Sequence, residues 1–277
     1  MKTHLLLTLC FAVCCALSPN AQANLIAHFD FEEGVGTNTA STVGGFTGTL
    51  NGDPQWVTTG LAPVPSGTTA ALQFDGTGDF VLSDYAGVGG SSDRTVSFWM
   101  QATNTLNTGI VAWGNSATPN GRKWHVRLND NPGNGPVGAI RSEIQGSYEI
   151  DGPVLTDGNW HHVAAVYGSG GAFGSGQVQH YIDGILVSDG QLNTGGDTVL
   201  VNTLLSPSIA GSASPVIIGG RRQGTTNSSF NGLLDEVRIY DSALSASEVM
   251  ALATIPEPSA LTLFIVGGVL MLCRRRK

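Results

Sequence analysis

Between residues 24 and 240 apolar side chains almost never recur at helical spacing. They come instead in short runs rich in Val, Ile, Phe, Trp and Tyr, separated by clusters of Gly, Asn, Asp and Pro. Several runs alternate strictly between apolar and polar residues, as a strand does when one face meets a core and the other meets water. The clearest are Leu25–Phe31, Ala71–Asp75, Thr95–Met100, Lys123–Leu128, Trp160–Tyr167, Val178–Asp183 and Leu233–Tyr240. Strands of this length and rhythm pack as two antiparallel sheets, face to face. Asp183-Gly184 between two such runs predicts a two-residue type I′ hairpin, since both residues tolerate positive φ. One helix is expected: Ser245-Ala-Ser-Glu248 is a capping box leading into Val249–Leu252. Gly190–Pro215 reads as a long loop inside a single domain.

Charge and cysteine content narrow the setting. Setting aside Lys2 and the four terminal bases leaves 8 of the 13 Lys+Arg, and setting aside Glu257 leaves 20 of the 21 Asp+Glu, so residues 24–254 carry a formal charge of −12. Such a surface repels phosphate backbones, which excludes nucleic acid as the expected partner. Cys10, Cys14, Cys15 and Cys273 all lie near the chain ends, so the region between has no disulfide, and its stability must come from burial, with or without a metal.

Both ends read as targeting segments. Lys2 and His4, the apolar Leu5–Leu17 and the small-residue site Ala21-Gln22-Ala23 form a signal peptide over residues 1–23, with cleavage by signal peptidase after Ala23. At the other end Pro256-Glu257-Pro258 is stiff and cannot continue a helix. It precedes an uncharged apolar helix over 260–273, shorter than the roughly 20 residues that span a bilayer, and a basic tail over 274–277. This order resembles the PEP-CTERM sorting signal over 254–277. The resemblance implies export, anchoring in the cell envelope, and processing by an exosortase-type protease followed by release or attachment at the cell surface. A plain C-terminal tail anchor would need only the apolar run and the arginines.

A set of motifs runs through the rest of the chain in fixed order: Phe31-Glu-Glu-Gly, Leu72-Gln-Phe-Asp-Gly76, Val96-Ser-Phe-Trp99, Asp157-Gly-Asn-Trp-His-His-Val-Ala164, Tyr181-Ile-Asp-Gly184, Ile217-Ile-Gly-Gly220 and Phe230-Asn-Gly-Leu-Leu-Asp-Glu-Val-Arg-Ile-Tyr240. Together they resemble the laminin-G-like domain of the concanavalin A-like lectin/glucanase superfamily, over 24–253. The resemblance implies an all-β jelly-roll sandwich of two antiparallel sheets, six or seven strands each, with first and last strands paired. Phe74, Trp99 and Trp160 are expected between the sheets.

Candidate sites follow from parity. If Trp124, Val126 and Leu128 face the core, His125 and Arg127 face out; if Ile140, Ser142 and Ile144 face the core, Arg141 and Glu143 face out. On adjacent strands these four would form a polar patch for sugar hydroxyls or uronates, or an ordinary solvated face. Asp235 counts onto the face of Leu233, Val237 and Ile239, where a carboxylate needs a counter-charge. The resemblance implies a structural Ca²⁺ there, shared with Asp30 and Gly76; hydrogen bonding to backbone amides is the alternative. His161 and His162 point to opposite faces and cannot chelate one ion. Glu149-Ile-Asp151 begins the carboxylate strand of the superfamily's glycanases, but Pro153 and Val154 stand where the second Glu belongs, so no catalytic residues are assigned. No Ser-His-Asp order is recognised. The expectation is a non-enzymatic module binding extracellular polysaccharide or another surface polymer. A glycan hydrolase or lyase, or an adhesive matrix protein without a sugar site, are the alternatives.

Overall fold

The computed structural model describes residues 23–64, 67–104, 109–115, 122–168, 177–187, 199–205, 215–221 and 229–254. The signal segment through Gln22 and the sorting motif with its apolar run therefore lie outside the described residues, as does most of the expected loop 190–215. Among the described residues no helix is long and apolar enough to cross a membrane.

The described residues form sixteen strands and one helix: β1 (Leu25–Phe29), β2 (Asn38–Ala40), β3 (Thr47–Asn51), β4 (Gln55–Val57), β5 (Ala71–Asp75), β6 (Phe80–Ser83), β7 (Arg94–Gln101), β8 (Gly109–Gly114), β9 (Lys123–Leu128), β10 (Ile140–Ile144), β11 (Ser147–Asp151), β12 (Trp160–Tyr167), β13 (Val178–Ile182), β14 (Ile185–Leu186), β15 (Ile217–Ile218), β16 (Asn231–Tyr240) and α1 (Ala246–Ala253). One sheet runs β14-β13-β12-β7-β16-β5-β4, with β1 added on β16; the other runs β11-β10-β9-β8-β15-β6-β3-β2. All pairings are antiparallel, and the first and last strands pair as the resemblance implies. Among the described residues each sheet has eight strands rather than the six or seven that the resemblance implies.

The core lies between the sheets. Phe74, Phe98, Met100, Val163, Leu234 and Ile239 from the first sheet meet Val81, Trp113, Trp124, Val126, Leu128 and Ile140 from the second, all buried. Trp99 and Trp160 are not part of it. They lie on the first sheet's outer face under Ala62 and Val64, so the inter-sheet indoles are Trp113 and Trp124. Trp124 meets Tyr167 at 5.7 Å with the rings inclined at 60°, and the guanidinium of Arg94 sits 5.2 Å from the Trp124 ring. Arg94 is wholly buried and donates to the carbonyls of Val88, Gly90 and Ser92 and to Thr203 Oγ1, tying two loops to β7 without a disulfide.

Local chemistry agrees with the sequence at two turns. Asp183 and Gly184 have φ of +51° and +79°, the signs a type I′ hairpin needs. Ser245 caps α1 by accepting from the Glu248 amide, while the Glu248 carboxylate accepts from the Ser245 amide. Ala23 and Leu25 pack beside Leu252 of that helix against Tyr240, Leu244 and Val249, so both ends of the domain meet at one corner.

Candidate functional site

Strand pairing brings the four sequence-predicted patch residues together. Arg141 of β10 stands opposite Arg127 of β9, and Glu143 opposite His125. All four lie on the face away from Trp124, Val126 and Leu128, as parity requires. They do not face open water, which corrects the expected solvated patch: His125 is 0% exposed, Arg127 5% and Arg141 7%. Counting alternation identifies the side of a sheet, not what covers it. On this face Ala112, paired with His125, and Ile217 are buried as well, so the middle of the sheet is covered and not washed by solvent.

Within this covered patch the charges are organised. Arg127 forms ion pairs with Asp130 and with Glu143 at 3.6 Å; Arg141 bonds the same Glu143 oxygen at 2.9 Å. The Arg141 guanidinium lies 3.9 Å from the centroid of the Tyr148 ring, on the neighbouring strand β11. Burial, reinforced by Lys123, Arg127, Arg221 and Arg141, holds the His125 imidazole well below its usual titration range, so the ring is neutral. Neither of its nitrogens has a hydrogen-bond partner, nor does Arg141 Nε. A buried polar atom left unpaired costs about 1–3 kcal/mol, and His162 on the other sheet carries the same two unpaired nitrogens.

The predicted metal residues are only partly united. Phe29 pairs with Val237, which sets Asp30 beside Glu236 rather than beside Asp235. Gly76 does not join them: it follows Asp75, which pairs with Asn231, four residues along β16 from Asp235, or about 13 Å of strand. Asp235 also sits on the other face from the one counted. Leu234 pairs with Met100 and fills the core, and Asp235 pairs with Trp99 on the outer face. A bulge then follows, with Glu236 at φ +54°, and returns Val237 and Ile239 to the core. Asp235 is nonetheless fully buried; its Oδ1 accepts from the Glu236 amide at 2.8 Å and its Oδ2 has no partner. Burial, with Glu236 close by, pushes its carboxyl up to about 8. The nearby Glu32 is held low despite its own burial by hydrogen bonds from Thr68 and Thr69.

Other constellations resolve into structure. His161 and His162 do point apart: His161 bridges Asp183 (2.9 Å) and Asp157 (3.2 Å), whereas His162 is buried against Trp99, and burial lowers it to about 3. Asp53, Asp75 and Asp79 converge, yet both Asp79 oxygens accept the amides of Asp53 and Asp75 and so shape the turns around β5. One arrangement escaped sequence reasoning. His180 accepts or donates to Ser142 Oγ at 2.8 Å and to Asp151 Oδ2 at 2.6 Å, a Ser–His–Asp relay assembled from β10, β13 and β11. Ser142 and His180 are 0% exposed and Asp151 4%, so the relay clamps the two sheets where a substrate does not reach. No spacing in the sequence could signal it, because the three residues meet only across the sandwich.

A family model of laminin G type, described as the concanavalin A-like lectin/glucanases superfamily, matches residues 74–250. The chain belongs to that superfamily. Comparison with curated proteins returns no match. Among solved structures this lectin/glucanase-type domain is similar to domain 4 of AbnA, an extracellular GH43 arabinanase of Geobacillus stearothermophilus determined with arabinotriose. The TM-score is 0.55 at 20% identity, over 84% of this chain and 99% of that one. It is also similar to the binding domain of Paraclostridial Mosquitocidal Protein 1, with a TM-score of 0.56 at 15% identity over 83% of this chain and 52% of that one. The receptor binding domain of botulinum neurotoxin D gives 0.53 at 13% identity, with the same two coverages. The chain thus spans about half of the toxin domains but nearly all of the arabinanase domain, and at these identities the likeness is one of fold.

Proposed function

We propose that this superfamily member is an exported, non-enzymatic module of the cell envelope that binds extracellular polysaccharide on the outer face of β8–β11. The observation that carries the reading is the row of paired charges Arg127, Arg141, Glu143 and Asp130 on a sheet face turned away from the core, bordered toward solvent by Glu143 and Asp130. The likeness to a domain determined with arabinotriose adds support. The sequence signals at both ends support export and envelope attachment, and Ala23, the proposed cleavage residue, stands two residues before the first strand.

Two facts favour a module over a hydrolase. Glu149 and Asp151, the only start of a glycanase carboxylate strand, pair with Ser142 and Ile140 and so face the space between the sheets rather than a surface cleft. The Ser142–His180–Asp151 relay is equally interior. A Ca²⁺ ion belongs to the proposal as a structural cofactor. Asp235 is its candidate ligand through the buried Oδ2 that has no partner, with Asp30 next to the adjoining Glu236; Gly76 does not take part. When bound, the ion would neutralise Asp235 and lock β1 to the β16 bulge.

A glycan array probed with wild type and the Arg127→Ala/Arg141→Ala double variant tests the reading. Binding to at least one glycan class that the variant loses, at matched secondary structure by circular dichroism, is expected. Unchanged binding by the variant would remove the site from this face, and no binding by wild type would leave an adhesive role without a sugar site.

A further inference from the structure

Six large apolar side chains are exposed among the described residues, and three of them gather at one corner. Ile185 and Leu186 make up the whole of β14, and Met250 lies near the end of α1. They are 63%, 47% and 47% exposed. Hairpin and helix build the corner together. A Cβ on Gly184, at the hairpin tip, would stand 3.0 Å from Met250 Sδ and 3.3 Å from Ala253 Cβ, so α1 packs directly beside the turn that delivers β14. Leu186 pairs with Tyr181, which belongs to the cluster under α1, and Ile185 pairs with Ile182 of the core. This edge strand therefore carries one exposed apolar side chain on each side.

β14 ends its sheet, and a sheet edge is ordinarily blunted with charge, lysine above all. Neither the β13–β14 hairpin nor α1 contains a lysine or arginine. Asp183 at the turn is engaged by His161, and the Glu248 carboxylate by the helix cap. Single exposed apolar residues need no explanation, whereas a gathered set marks a surface that meets something apolar.

The position of the chain's own tail identifies that partner. Residues 254–259 separate α1 from the uncharged apolar run over 260–273. Those six residues span at most about 20 Å, and Met250 precedes the end of α1 by about 5 Å of helix rise. With the run in a bilayer, the corner stays within about 25 Å of the lipid, a tether short enough for weak apolar contacts to count. The domain's formal charge of −12 disfavours anionic lipid, so the matching surface is zwitterionic. α1 covers the outer face of the first sheet, over Ala164, Val166 and Tyr181, while β8–β11 belong to the second. A domain resting on the α1 corner thus turns the outer face of β8–β11 away from the membrane.

We propose that Ile185, Leu186 and Met250 form a membrane-contact corner, which seats the domain on the zwitterionic bilayer surface that its own tail enters. The inference rests on the reading of residues 254–277 as an envelope anchor and adds a second lipid contact, made by the folded domain.

The test places a nitroxide at Ala251→Cys, an exposed neighbour of Met250, in the chain from Asn24 to Lys277 carrying Cys273→Ser, incorporated into phosphatidylcholine vesicles. A second sample carries the nitroxide at Thr49→Cys, exposed on β3 of the other sheet. Vesicle flotation reads the anchor, and the ratio of collisions with oxygen to collisions with a water-soluble nickel chelate reads depth. The chain should float, and the ratio at position 251 should exceed that at position 49 severalfold. The triple variant Ile185→Ser/Leu186→Ser/Met250→Ser should float equally and lose the excess; all three side chains are exposed, so the core is untouched. A chain that floats with equal ratios at the two positions, or an excess that the triple variant keeps, would overturn the inference and leave the anchor standing. Dipolar broadening at position 251 that dilution with unlabelled chain relieves would also overturn it, by assigning the corner to a second copy. If the chain does not float, anchor and inference fall together.

Discussion

At the residue scale the most informative side chain is Asp235. Its position two residues before Val237 counted it into the core, but one bulged residue reversed the parity and set it under a different cover. No alternation pattern foretells a bulge, since the signal is a single residue taking positive φ. The energetic consequence has a definite sign. The native carboxyl holds its proton up to about pH 8, whereas the unfolded chain releases it near 3.8. Between those values the native state binds more protons, so this group lowers stability as pH rises, by on the order of a few kcal/mol at the top of the range. Asp235→Asn should therefore raise the melting temperature relative to wild type at pH 8 in the presence of chelator and leave it nearly unchanged at pH 4; equal differences at both pH values would contradict this. Calcium should raise the wild-type melting temperature at pH 8 and not that of the variant. Arg94 makes a second prediction: Arg94→Met strands three loop carbonyls and should cost about 3 kcal/mol or more, read from the urea midpoint.

At the element scale, what was legible was what local chemistry writes. The type I′ turn at Asp183-Gly184 and the capping box at Ser245 need only neighbours in sequence, and both stand as read. Ser245→Ala should cost about 1 kcal/mol by loss of the cap, visible as a shift in the denaturation midpoint without a change in slope. Strand β14 reads as the second run of the Asp183-Gly184 hairpin, whereas β15 does not read as a strand, because two residues cannot show a period. The turn after β15 has its own constraint. Gly219 has φ of +77°, and a Cβ there would come within 2.2 Å of the Phe74 ring. Gly219→Ala should therefore destabilise by more than the ordinary cost of a turn glycine, about 2–3 kcal/mol.

At the scale of the whole molecule, the two-sheet sandwich was written in alternation and turn residues, and the ordered motifs placed it in the right superfamily. Burial was not written there. His125, Arg127 and Arg141 were assigned to the correct side of the sheet and to the wrong environment, while Trp99 and Trp160 were taken for inter-sheet filling although they cover the opposite face. Covering segments come from distant parts of the chain, and only the folded arrangement brings them over a strand. The same distance hid the Ser142–His180–Asp151 clamp. Without thiols between Ala23 and Thr254, the molecule depends on such interior polar ties and on the core they accompany. What it does with its outer face is the central claim, and one incubation addresses it most directly. The chain is mixed with a panel of neutral and acidic extracellular polysaccharides, and the bound fraction is followed together with the reducing ends and unsaturated products released over a day. Stable retention on the polymer with no product above the blank is the predicted result; product that accumulates in proportion to protein concentration would make the molecule an enzyme and contradict the account.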